Sequence, residues 1–289
     1  MTDLAAACHF VQLSGRLLDR RRLAHLIDGG SAEAVVVAVA GYANPDGGYA
    51  GLLEPDVRTL SSQPISALAA FDVQAQVGAP AAGRALEWLS QISNDDGGIP
   101  FHLPAADGAP QAPWMQPNPA SSLHMTAAVT AAALRLGATG PWIEAASDYC
   151  RTAISAAEDL SAYETRYALG FLEASGDTAG LQVLGRSLPR DGRLAVDGGT
   201  ETETLRLLDL APRPGGALRR LFDESAVEAE LDRLEADQRP DGGWDFDWQT
   251  WSPAVATEWR ARLTVDALAT LQAHGRISLH RHQDLSLTS

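Results

Sequence analysis

The sequence predicts an all-α fold built from a repeated helical unit. Three observations carry this. First, Asn44-Pro45-Asp46-Gly47-Gly48-Tyr49 returns as Asn94-Asp95-Asp96-Gly97-Gly98-Ile99 and as Arg239-Pro240-Asp241-Gly242-Gly243-Trp244. The first two Asp-Gly pairs lie 50 residues apart, the second and third 145, and a degenerate Asp191-Gly192 falls 50 before the last. A fixed period of this size marks a repeat architecture. Second, the segments between these turns carry apolar residues at helical spacing. Third, alanine is abundant and alternating β-branched runs are nearly absent, which favours helix over strand.

The elements follow in order. Helices are expected at 4–27 and 32–42. The next, over 61–77, has Pro64 near its start, where a helix tolerates it. Residues 80–92 place Leu86 and Leu89 on one face, and 121–136 stops at Gly137. Segment 141–157 opens with proline, and 161–174 and 178–188 are shorter. Residues 201–210 and 224–238 follow, and the last helix, 253–275, is capped by Ser252 with Pro253 at its first position. These are about eleven helices, roughly two per 50-residue step. The repeated aspartates are read as turn builders, with the glycines supplying positive φ.

Composition excludes several functions. The formal net charge is −15, against a nucleic-acid partner or an anionic membrane surface. All 22 basic residues are arginines, so Schiff-base lysine chemistry and a P-loop lysine are excluded. Cys8 and Cys150 form no disulfide framework or zinc-ribbon spacing. The longest apolar run, 34–40, is far short of the ~20 residues of a membrane span. The opening Met1-Thr2-Asp3-Leu4 lacks the basic-then-apolar order of a signal peptide. A cytoplasmic protein, neither bound to nucleic acid nor inserted in a membrane, is expected; oligomeric state is left open.

Two long loops attract attention, because ordered loops on a helical scaffold often carry function. Residues 97–118 contain five prolines after Ile99, with Phe101, His102 and Trp114. Residues 245–251 are dense in acids and aromatics. Asp245 and Asp247, among Trp244, Trp248 and Trp251, suit a carboxylic acid held protonated by desolvation. The same loop could instead pack its rings on a rim with the aspartates in solvent. Glu258-Trp259-Arg260 opens the last helix, where Glu258 either faces a cavity or pairs with Arg262 four residues on. Glu54 and Asp56 flank Pro55 beside Arg58, as a substrate-binding carboxylate pair or a loop-fixing ion pair. His102 and His124 are candidate bases.

Helix pairs joined by Gln238-Arg239-Pro240-Asp241-Gly242-Gly243-Trp244 resemble the prenyltransferase/squalene-oxidase repeat family of terpene cyclases and protein prenyltransferase β subunits. The chain also resembles actinobacterial proteins that carry this repeat, through Asp46-Gly47-Gly48-Tyr49, Leu53-Glu54-Pro55-Asp56, Ser62-Gln63-Pro64, Asp96-Gly97-Gly98-Ile99-Pro100-Phe101 and Glu258-Trp259-Arg260. The resemblance spans residues 40–276. It implies a single α/α toroid of about five to six helix pairs over residues 1–276, inner helices ringing a cavity, with a polar tail at 277–289. The Asp-x-Asp-Asp acid of class II cyclases is absent; Asp95-Asp96-Gly97-Gly98 and Asp245-Phe246-Asp247-Trp248 are nearest in composition. The Asp-Asp-x-x-Asp of class I synthases is absent too. Asp148-Tyr149-Cys150 matches the zinc dipeptide spacing of the prenyltransferases, but no histidine follows before His274, so a buried structural cysteine is expected.

The expected function is therefore an enzyme without cofactor or metal. It binds a hydrophobic small molecule, isoprenoid-like or polyketide-like, and performs a non-redox, acid-assisted cyclisation or isomerisation in specialised metabolism. Asp245, Asp247, Glu258 and His102 are the catalytic candidates. Trp244, Trp248, Trp259, Arg260, Glu54, Asp56, Phe101, Trp114 and His124 are the substrate-binding ones. The alternative is a non-catalytic ligand- or protein-binding member of the same repeat family.

Overall fold

A computed structural model describes residues 2–278 apart from residue 82. Helices dominate it. The first predicted helix is two, α1 (Leu4–Ser14) and α2 (Leu17–Asp28), because Gly15 and Arg16 turn extended and the Asp19 carboxylate caps the Arg16 amide. Then come α3 (Ala32–Ala40), α4 (Pro64–Gln76), α5 (Gly83–Ile92), α6 (Leu123–Arg135), α7 (Pro141–Ala156), α8 (Ala162–Ala174) and α9 (Thr178–Gly185). The helix expected at 201–210 shrinks to α10 (Leu207–Leu210). Its first half instead forms strand β2 (Thr204–Leu205), antiparallel to β1 (Leu194–Ala195). The alternating Thr200-Glu201-Thr202-Glu203-Thr204 suits an extended backbone better than a helix. The hairpin turns through a further Asp197-Gly198-Gly199. The chain continues through α11 (Glu224–Ala236) and α12 (Pro253–Ala273). Of the expected tail, residues 279–289 lie outside the described residues, His280 and His282 with them.

The repeated tetrapeptides build one turn. Asp46, Asp96 and Asp241 each accept, through Oδ1, the amide of the second glycine, at 2.9, 2.9 and 3.1 Å. Ser62 and Ser121 anchor the first two aspartates from the chain ahead of the next helix; Arg260 anchors the third with two bonds of 2.8 and 2.9 Å. The first glycine of each turn sits at φ between +85° and +100° against the backbone of another helix: Gly47 on Arg84 of α5, Gly97 on Ala145 of α7, Gly242 on Ala6 of α1. The third turn thus meets the first helix of the chain just as the earlier turns meet the helices that follow them.

Packing is mainly between even-numbered helices and their neighbours: α4 on α6, α6 on α8, α8 on α10, α2 on α12. α1 packs on α12, bringing the first and last helices together. One apolar cluster holds Phe71, Trp88 and Ile99, a second Phe171, Leu231 and Leu268, and a small third Val57, Ala112 and Met115; Leu134 and Tyr167 touch the first two. Cys150 is fully buried and its thiol is pushed up to about 12 by that burial, as for an inert core cysteine. No helix of the described residues is long and apolar enough to cross a membrane.

Candidate functional site

A cavity of about 1020 Å³ runs between the even-numbered helices, each of which contributes to its wall. Two residues stand out by local sequence. Asp72 is the only charged residue of α4, and Arg135 the only charged residue of α6. Both face the cavity. On a helix otherwise buried against its neighbours, the cavity is where such a group keeps contact with a polar environment. Burial pushes the Asp72 carboxyl above the usual carboxylate range, while the charges of Arg135, Arg262, Arg166 and Arg213 pull the other way. Asp72 was absent from the sequence candidates. Its signal was present all the same: one acid in a thirteen-residue apolar helix.

The segments that lead into α10 and α12 line the cavity, and the loops that lead into α4 and α6 pack against the latter at Trp251. These loops knit together. Val57 bridges Gln111, the Gln63 side chain bonds both backbone groups of Leu103, and Thr200 and Thr204 hold Asp247. Trp244, Phe246 and Trp248 reach the cavity from the last loop. Trp248 stacks on Phe246 at 4.6 Å and meets Trp259 edge-on at 5.3 Å. Trp244 is buried, its indole N–H donating to the Leu234 carbonyl at 2.7 Å.

The sequence candidates divide between this wall and a clamp beside it. Asp245 lies on the rim, its side chain 53% exposed and 3.9 Å from both Arg239 and Arg260. Asp247 borders the cavity while accepting the Thr204 amide at 3.3 Å. Glu258 does not pair with Arg262. It meets Arg58 at 3.0 Å and Arg16 at 3.9 Å, and Arg262 turns to Glu54 at 3.0 Å. Arg58 therefore ties its loop to α12 rather than to Glu54 or Asp56. Asp56 is buried and accepts the Trp259 indole N–H at 3.2 Å; burial raises its carboxyl, and that bond opposes the rise. Burial likewise raises Glu54 against the pull of Arg262. Arg260 is committed to Asp241 and to the face of Phe10. Trp114 is 40% exposed. His102 is fully buried with Nε2 on Gln111 at 2.9 Å, and burial lowers its pKa.

His124 anchors a second aromatic group. It stacks on Tyr167 at 4.8 Å and Tyr163 at 5.4 Å, with Phe101 edge-on at 5.1 Å. Of these, Tyr167 faces the cavity. Burial, with the nearby Arg166 charge, lowers His124 to about 4, so it is neutral near pH 7. The unfolded imidazole takes up a proton near 6.5, whereas the folded one resists until about 4. Between these values the unfolded state binds more protons, and stability falls as pH falls. His124→Phe, which keeps the stack, is expected to remove up to about 3 kcal/mol of acid sensitivity between pH 6.5 and 4. Parallel thermal melts of wild type and variant across that window check this; curves with identical pH dependence count against it.

No protein-family model matches the chain, and neither does any curated protein. Solved structures do. A protein from Actinoplanes is similar at TM-score 0.53, with 16% identity, over 93% of this chain and 89% of its own. The type II terpene cyclase MstE from Scytonema was solved as an Asp-to-Asn variant with its substrate, geranylgeranyl dihydroxybenzoate. It is similar at TM-score 0.53, with 12% identity, over 93% of this chain and 96% of its own. At these identities the likeness is one of fold: the chain has a mostly helical, terpene cyclase-like fold.

Proposed function

We propose that this chain is an enzyme that takes a hydrophobic small molecule, isoprenoid-like or polyketide-like, into its cavity and cyclises or isomerises it by protonation, without redox chemistry. Its helices would close as one α/α toroid of six pairs, odd-numbered outside and even-numbered inside. The contact of Gly242 with α1 supports that closure. The observation that carries the functional reading is Asp72: the lone charged residue of α4, facing a cavity of about 1020 Å³, with its carboxyl raised by burial. A carboxyl that holds its proton when the substrate is bound can transfer it to an alkene carbon. The faces of Trp248, Phe246 and Tyr167 suit the cation that results. Asp245, Asp247 and Glu258 remain alternative donors, the first two on the cavity wall. The fold likeness to MstE, whose substrate carries a geranylgeranyl chain, fits this reading.

A second reading has an observation of its own. Four arginine charges act on Asp72, which suits an ionised counter-ion in a site that binds without catalysis. Incubation of the protein with polyprenyl alcohols in D₂O separates the two. Proton gain at one carbon and proton loss at another leave an isomer carrying one deuterium. Quenching of the cation by water would add water's mass as well. Recovery of every polyprenyl probe unlabelled and acyclic would support the non-catalytic reading.

A further inference from the structure

The cavity is charged as well as aromatic, and its charges are unevenly paired. Nine arginines and seven carboxylates line it. Six of those arginines have a carboxylate within 4.0 Å. Arg22 pairs with Asp266, Arg262 with Glu54, Arg219 with Glu224, Arg206 and Arg233 with Glu230, and Arg239 with Asp245. Arg135, Arg166 and Arg213 have none among the described residues. The Arg135 guanidinium instead lies across α8, donating to the Gly170 carbonyl at 3.3 Å. The missing side chain of Gly170 makes room for it, since a Cβ there would stand 3.1 Å from Arg135 Nη2. The Arg166 guanidinium lies over the Tyr167 ring at 5.2 Å. Three guanidinium groups thus face one cavity with most of their donors unspent, and Arg135 and Arg213 are exposed, so those donors are open to an anion that enters. The charges of all three favour the ionised form of Asp72, against its burial.

We infer that the cavity takes an amphipathic ligand whose anionic group, a carboxylate or a phosphate ester, is held by Arg135, Arg166 and Arg213 while its apolar body lies toward Trp244, Phe246 and Trp248. This rests on the cavity being a small-molecule site and adds the chemical class of the ligand. Arginine suits the task because its planar donors pair with carboxylate and phosphate oxygens alike.

The test compares two probes of equal chain length, geranylgeranoic acid and geranylgeraniol, by quenching of tryptophan fluorescence. A second measurement on the wild-type protein follows phenylglyoxal modification of the three arginines by peptide mass spectrometry, with benzoate or inorganic phosphate as protectant. The acid is expected to bind about tenfold more tightly than the alcohol or better, as for hydrogen bonds to charged groups. Arg135→Gln and Arg213→Gln are each expected to lower that preference, the ratio of acid to alcohol affinity, at least about threefold. Protection by benzoate marks a carboxylate site, and protection by phosphate a phosphate-ester site. Equal binding of acid and alcohol, with no protection by either anion, overturns the inference even if the alcohol binds well. Protection by an anion when neither isoprenoid binds upholds it and removes the isoprenoid reading instead.

Discussion

Asp72→Asn is expected to lower turnover of the cavity substrate by about a thousandfold or more, while the melting temperature moves by no more than about 2 °C. The two halves have separate causes. A positioned general acid contributes on the order of 10²–10⁴ in rate, and an amide of the same shape has no proton to give. Stability should barely change, because no hydrogen bond contributes to the environment of Asp72 and an isosteric amide loses no packing. Asp245→Asn, Asp247→Asn and Glu258→Gln are the controls. Asp245 is half in solvent, Asp247 is held by a backbone amide, and Glu258 is tied to two arginines. Each should keep most of its activity. An active Asp72→Asn beside an inactive Asp245→Asn or Asp247→Asn would move the acid to the loop end of the cavity.

Gly242→Ala is expected to destabilise the fold by about 3 kcal/mol or more, lowering the melting temperature by roughly 6–12 °C. Two costs add. The residue sits at φ +92°, where an L side chain is strained, and a Cβ would stand 2.2 Å from the Ala6 carbonyl oxygen of α1. Neither neighbour is the free end of a flexible side chain. The turn is pinned by Asp241 and Arg260, and α1 is held to it through Gln238, whose side chain bonds the Asp3 backbone at 2.7 and 2.8 Å. Gly78→Ala isolates the first cost, because Gly78 also has positive φ, +67°, but nothing lies within 4 Å of its would-be Cβ. It should lose about 1–2 kcal/mol. Equal losses in the two variants would mean that α1 does not close on the third turn, and the proposed toroid would fail.

Much of the fold could be read before any coordinates, because its determinants are local. The Asp-Gly-Gly turns recur with the same Oδ1-to-amide bond because a short acidic side chain and a glycine at positive φ suffice to make that turn anywhere. Helix ends followed their caps, as at Ser252 and Ser161. The failures were local competitions decided by small margins. Gly15 broke a helix that apolar spacing ran straight through, and a threonine-rich stretch chose a hairpin where helix was expected.

The site was less legible. Acids and tryptophans close together in sequence drew attention to residues 244–251, and some of these do reach the cavity wall. Yet Glu258 found Arg58 and Arg16, and Arg262 found Glu54, across separations of some 200 residues, in preference to each other at i and i+4. A partner that distant has no signature in a single sequence. Asp72 and Arg135 did leave one, a solitary charge in an apolar helix, but the sign of its meaning depends on surroundings. The sequence by itself determined the repeat, the turns, the helical class and the absence of lysine chemistry, since backbone propensity and residue inventory are properties of short segments. Which carboxyl is raised, which arginines lack a partner and which helices wall a cavity were decided by tertiary structure alone. Burial and charge pairing are set by what the rest of the chain brings within a few ångströms.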